Sequence, residues 1–166
     1  MFDLKKFSNS EYMPGSFLKR LSWYFCSRIF FETFFPYPIS FKKKLLEIFG
    51  AKIGDGLIIK PKVQIKYPWF LEIGDHVWIG EGSWIDNIGN VYIGDNVCIS
   101  QGVFFETGSH NFKSEKFDLI ISNISIGNNV WIGCKCIILP GATIKENSII
   151  YGGRILKGEV KPDKLV

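Results

Sequence analysis

The sequence predicts an all-β fold: a parallel β-solenoid, shaped as a triangular prism of about five coils and preceded by an N-terminal helical segment. Three observations predict it. Beyond Gly50, apolar residues recur every six positions, first at Ile53, Ile59, Ile65 and Leu71, then at Ile73, Ile79, Ile85 and Val91. The series goes on through Ile93, Ile99 and Phe105, and resumes as Ile126, Ile132, Ile138, Ile144, Ile150 and Leu156. Glycine follows that residue at 54, 74, 80, 94, 127 and 133, and the residue four beyond it is small or branched, as at Val63, Val77, Val97, Val103, Val130, Ala142 and Ser148. Finally, Ile53-Gly-Asp, Ile73-Gly-Asp and Ile93-Gly-Asp start coils 20 residues apart, and Ile126-Gly-Asn follows after 33. Six residues exceed a helical turn but suit a short strand with one inward side chain, then a tight turn where glycine tolerates unusual backbone angles. Three such units close a coil, and stacked coils pair their backbone groups and lay each inward aliphatic on the one before.

Composition narrows the function classes. A chain of 166 residues with 46% hydrophobic content holds one domain with a sizeable core and a small appendage. A net charge of +4 gives no dedicated nucleic-acid surface and suits a small phosphate-bearing partner. Cys26, Cys98, Cys134 and Cys136 lack the spacing of a disulfide framework, and the first residues lack signal-peptide order, so a reducing cytoplasm is expected. The apolar run from Phe17 to Phe35 is interrupted by Lys19, Arg20, Arg28 and Glu32, which leaves no clean membrane span. Peripheral contact with a membrane through this segment stays open.

Taken in order, residues 1–14 read as a loosely attached arm that stops at Pro14-Gly15. Phe17, Leu21, Tyr24, Phe25 and Phe31 recur at helical spacing and predict a helix over Phe17–Phe35, ended by Pro36 and Pro38. Ser40 is the expected N-cap of a second helix, Phe41–Phe49, with Phe41, Leu45, Ile48 and Phe49 on its apolar side and Lys42, Lys43 and Lys44 on its wet side. Residues 1–50 therefore form an arm and helices capping the solenoid, and 51–166 the solenoid domain with a loop inserted at about 106–123. Leu156–Val166 gives part of a sixth turn, with Pro162 as a breaker and no capping helix. The third coil carries thirteen extra residues, and an excursion of that length in a strict solenoid is usually functional or disordered. It holds His110, one of two histidines; the other, His76, sits in a turn and reads as structural. Cys134-Lys-Cys136 reads as strand residues packing on one face, and no metal site is expected.

The repeat, the excursion and the run from Ile126 to Lys157 resemble the left-handed β-helix acyltransferases of the hexapeptide-repeat superfamily over about residues 45–164. Within that superfamily, Asp86-Asn87-Ile88-Gly89, Ile99-Ser100-Gln101 and Thr107-Gly108-Ser109-His110-Asn111 look most like the sugar O-acetyltransferases of surface-polysaccharide clusters, the colanic-acid type. The resemblance implies a homotrimer with active sites between subunits, acetyl-CoA as donor and His110 as general base. A sugar hydroxyl attacks a thioester well only as its proton is removed, and a neutral imidazole takes that proton at cell pH. By the same resemblance Asp86, Asn87 and Ser109 fall near the acceptor, although Asn87 equally suits a turn. On the donor side it brings in Trp131 along the pantetheine, or at a trimer contact, and Cys134 beside it. Gly152 is expected to let the pantetheine approach the backbone, and Lys157 and Arg154 to meet CoA phosphates. Tyr151 and Arg154 replace small residues usual there, and the chain stops at Val166 without the Gly-Asn-Pro-Ala tail common in the family.

The expected function is acetyl transfer to a hydroxyl of a sugar or sugar nucleotide in surface-polysaccharide biosynthesis. The alternatives are N-acetylation of an amino sugar or small drug-like acceptor, and a non-catalytic trimeric scaffold docked through its N-terminal helix. His110 is expected at the base of a lid, facing a cleft, with Phe112–Asp118 overhanging a neighbouring subunit.

Overall fold

The computed structural model describes residues 1–160, so Pro162 and the rest of the expected sixth turn lie outside the described residues. Three parallel sheets form the faces of a solenoid of about five turns. The first face stacks Lys52–Ile53, Leu71–Ile73, Val91–Ile93, Ile124–Ile126, Thr143–Ile144 and Glu159–Val160. The second stacks Ile58–Ile59, Trp78–Ile79, Cys98–Ile99, Trp131–Ile132 and Ile149–Ile150, and the third Gln64–Ile65, Trp84–Asp86, Phe104–Glu106, Ile137–Ile138 and Ile155–Leu156. In register, Ile79 lies on Ile99 and Ile99 beneath Ile132, while Ile85, Phe105 and Ile138 form the matching column of the third face. All are 1% exposed or less. A fully buried isoleucine contributes about 1.5–3 kcal/mol, which makes the inward column the main force holding coil on coil. The two-residue slips before Ile73 and Ile93 are explained by longer strands on the first face, where Leu71, Val91 and Ile124 add a second buried residue.

The corners correct one expectation. The glycine after each inward isoleucine is needed for close approach: a Cβ on Gly94 would lie 2.3 Å from Asn128 Oδ1. The left-handed backbone falls two residues later, at Gly56, His76, Asn96, Asn129 and Asn147, all with φ between 55° and 69°. Side chains lace this corner from coil to coil. Asp75 Oδ1 accepts from Asp55 N–H at 2.7 Å, Asp95 Oδ1 from Asp75 N–H at 2.8 Å, and Asn128 Oδ1 from Asp95 N–H at 2.8 Å.

Helix α1 (Phe17–Phe30) starts at an N-cap Ser16 whose hydroxyl accepts from Lys19 N–H, and it ends five residues short of the expected boundary. Its inward residues are Trp23 and Ser27, whereas Phe17, Leu21, Tyr24 and Phe25 are exposed, contrary to the apolar spacing. Trp23 decides the facing because its indole N–H donates to Ile65 C=O at 2.8 Å on the open edge of the third face. Helix α2 (Ile39–Ile48) begins at Pro38 with no side-chain cap, so Ser40 lies inside it. It buries Lys42 and Leu46, leaving Phe41 and Ile48 exposed; the wet lysine triplet and the apolar side expected from the sequence are both corrected. Lys42 packs beside Phe31, its Nζ 5.7 Å from the ring centroid, while Lys43 Nζ donates to Gly54 C=O at 2.7 Å on the first coil. Among the described residues, no helix is long and apolar enough to cross a membrane.

Candidate active site

The insertion is a hairpin. After Phe104–Glu106 the chain turns outward at Thr107, and Gly108–His110 pairs antiparallel with Leu119–Ile121, His110 opposite Leu119. Thr107 is fully buried and anchors the turn: its hydroxyl accepts from Gly89 N–H at 2.9 Å and donates to Asp86 C=O at 3.2 Å. At the tip, Phe117 adopts φ 53°, a strained conformation for an aromatic residue. That conformation sets its carbonyl 2.9 Å from His110 Nδ1 and its ring parallel to the imidazole at 4.3 Å. A carbonyl only accepts, so Nδ1 is the donor, and in the neutral imidazole the lone pair is then on Nε2.

The N-terminal arm completes the enclosure and is not loose. Phe7 meets the imidazole edge-on at 5.3 Å, Phe2 packs on Phe117 at 4.5 Å, and Lys6 pairs with Glu115. Tyr12 donates its hydroxyl to Ile88 C=O at 2.6 Å, and burial, followed by Tyr67 and Asp86, pushes its phenol far up. The arm thus braces the hairpin tip at Phe117 and Glu115 and leaves Phe112 exposed.

Beneath the arm lies a cavity of about 320 Å³ lined by His110, Ser109, Asp86, Lys66, Tyr67, Glu106, Phe7, Asn9 and Tyr12 among others. His110 is half-buried and outside the prism, and Ser109 is exposed beside it. Asp86 pairs with Lys66 at 2.7 Å. Asn87 does not reach the cavity: it is fully buried, accepting from Tyr67 N–H at 3.0 Å and donating to Tyr67 C=O at 2.7 Å, which favours the structural half of its two readings. Lys66, Glu106, Phe7, Asn9 and Tyr12 were missed. Glu106 sits inside the insertion stretch and was within reach of sequence reasoning; the arm carries no periodicity that could have announced it.

The donor-side residues stand apart from this cavity. Trp131 is exposed on the second face with its indole N–H on Ser100 Oγ at 3.0 Å, and Gly152, Arg154 and Lys157 are exposed in the last coil. Gly152 has a structural reason of its own, since a Cβ there would lie 2.9 Å from Cys134 C=O. Cys134 and Cys136 do not share a strand face: both precede Ile137–Ile138, Cys134 exposed and Cys136 buried, because Lys135 between them is left-handed at φ 58°. Burial pushes the Cys136 thiol up, as it does those of Cys26 and Cys98. Among the described residues no group of three or more His, Cys, Asp or Glu side chains is placed to hold a metal ion.

Known proteins place this architecture. No family model matches the chain. A candidate colanic acid biosynthesis acetyltransferase of Escherichia coli K12, WcaF, is 32% identical over 151 residues, covering 90% of this chain and 83% of that protein. The structure of a galactoside acetyltransferase in complex with coenzyme A is 30% identical, with a TM-score of 0.77 over 87% of this chain and 74% of that one. A hexapeptide-repeat acetyltransferase of Vibrio cholerae, complexed with acetyl coenzyme A, shares the fold at a TM-score of 0.78 and 23% identity, covering 88% of this chain and 80% of its own. The chain belongs to the hexapeptide-repeat acetyltransferase family. Its place there is with the acetyl-CoA-dependent O-acetyltransferases, among them the galactoside O-acetyltransferase of Escherichia coli K12.

Proposed function

We propose that this chain moves the acetyl group of acetyl-CoA onto a hydroxyl of a sugar or sugar nucleotide in surface-polysaccharide assembly, with His110 as general base. The observation that carries the reading is the contact of His110 Nδ1 with the Phe117 carbonyl. With Nδ1–H held by the Phe117 carbonyl, Nε2 is the basic atom, and its ring is clamped between Phe117 and Phe7 beside an open cavity. Nε2 takes the proton of the acceptor hydroxyl as the oxygen bonds to the thioester carbonyl carbon. The C–S bond then breaks, and the CoA thiolate leaves and recovers the proton from the imidazolium. Transfer is direct in this reading, with the acceptor oxygen as the only nucleophile; trapping an acetylated protein, on Ser109 above all, would overturn this step.

The site is completed by a second copy. None of Trp131, Cys134, Gly152, Arg154 and Lys157 lines the His110 cavity, so donor and acceptor halves meet only if a neighbour brings its last coils to the hairpin. The outward sides of the second and third faces support such packing. They carry Trp78, Trp131 and Ile155, each at least 47% exposed, whereas the first face turns Lys52, Glu72, Tyr92, Ser125 and Thr143 outward. We read the assembly as a homotrimer with sites between subunits. The exposed Phe17, Leu18, Phe25 and Ile29 of α1 support a cytoplasmic enzyme in peripheral membrane contact, which co-sedimentation with anionic vesicles tests.

The deciding experiment is thiol release from acetyl-CoA with candidate glycans. His110→Ala lowers kcat by about 10²–10⁴-fold while CoA binding in calorimetry holds; undiminished turnover refutes the base.

A further inference from the structure

The His110 cavity has a neighbour. Across a wall shared through Lys66 and Tyr67, a second cavity of about 410 Å³ lies between α1 and the third face, lined by Arg20, Arg28, Glu32, Tyr24 and Trp84 among others. The two differ in charge. In the His110 cavity the carboxylates Asp86 and Glu106 outnumber Lys66, a setting for a neutral, hydroxyl-rich group. In the second, Arg20, Arg28 and Lys66 face the single carboxylate of Glu32. That carboxylate is already engaged with Arg28 at 2.7 Å, and Lys66 with Asp86 at 2.7 Å, so Arg20 remains, with no ion pair among the described residues. Aromatic surface flanks the cations: Trp84 is 43% and Tyr24 53% exposed, and the Arg28 guanidinium sits 5.2 Å from the Tyr24 ring centroid.

We propose that this second cavity is the phosphate subsite of the acceptor, taking the pyrophosphate of an activated glycosyl pyrophosphate while its sugar lies against His110. The inference rests on the reading that the His110 cavity holds the acceptor. Arg20 is the principal phosphate ligand, a planar fork of donors suited to two phosphate oxygens. Tyr24 and Trp84 receive what lies beyond the pyrophosphate, a nucleoside stacked on them or a polyprenyl chain buried against them. CoA phosphates are the rival occupant, and saturating CoA in the test keeps them from being mistaken for the probes.

Calorimetry with CoA held saturating tests the proposal, using inorganic pyrophosphate, uridine diphosphate and geranyl pyrophosphate as probes. Pyrophosphate binds the wild-type protein, and Arg20→Gln, a change at an exposed side chain, weakens all three probes about tenfold. Tighter binding of uridine diphosphate identifies a sugar nucleotide, tighter binding of geranyl pyrophosphate a lipid-linked sugar, and equal affinities leave the phosphates as the recognised group. No binding of any probe, or Arg20→Gln equal to wild type, overturns the subsite. His110→Ala keeps probe binding while losing acetyl transfer. If that variant instead keeps transfer, the base assignment falls and the phosphate subsite stands.

Discussion

At the scale of single residues, the proposed base stood out in the sequence and the groups that hold it did not. His110 stood out as a histidine inside the one long break of the repeat, but its orienting partner is the backbone carbonyl of Phe117, which no side-chain pattern encodes. Phe7 is further from view, 103 positions away in a segment without a motif, yet its ring edge meets the imidazole. Phe7→Ala leaves the Phe117 bond in place and removes one wall of the clamp. The expected result is a kcat reduced about three- to tenfold at unchanged KM for acetyl-CoA, since an aromatic contact contributes about 0.5–1.5 kcal/mol. Asn87 makes the opposite point: the resemblance puts it near the acceptor, but its amide replaces a missing strand partner for Tyr67. Asn87→Ala strands a buried N–H and C=O, and chemical denaturation should show a loss of about 2–3 kcal/mol.

Among the elements, the strands were the legible part because a solenoid writes its core as a strict period, one inward residue in six. The helices were misfaced because an aromatic-rich helix presents apolar residues all round, and the choice of inward side is made by the coil edge it must cover. Trp23 covers Ile65 C=O, and Lys43 covers Gly54 C=O, which rotates Lys42 inward. Burial lowers the Lys42 pKa, so the folded chain holds that proton less tightly than the unfolded one. The resulting cost is present in full below the folded-state pKa and fades as pH rises toward the ordinary lysine range, so stability climbs with pH across that window. Lys42→Met should raise stability by about 1 kcal/mol near neutral pH and flatten the alkaline slope in denaturant titrations at several pH values. A second element-scale test concerns the corners. Gly94→Ala drives a Cβ against Asn128 Oδ1 and the Gly127 backbone, 2.3 and 2.9 Å away, and should cost about 1–3 kcal/mol by thermal denaturation.

For the molecule as a whole, one chain holds the proposed acceptor pocket at the hairpin and the proposed donor residues in its last coils, and the last-coil residues do not line that pocket. The sequence reached this division only through the family resemblance, which implies active sites between subunits; in the residue pattern itself both sets simply follow one another along the chain. If the site forms between copies in a cyclic trimer, each site draws its base from one chain and its donor groove from the next. Two inactive variants, His110→Ala and Trp131→Ala/Lys157→Glu, should then rescue each other when co-expressed. In randomly mixed trimers from equal amounts, a site works when an intact hairpin meets an intact groove, which gives about one quarter of wild-type turnover. Variants mixed after separate assembly should stay inactive until subunits exchange. Co-assembly confirmed by affinity tags on the two chains, with turnover no higher than that of either variant alone, would place the whole reaction within a single chain.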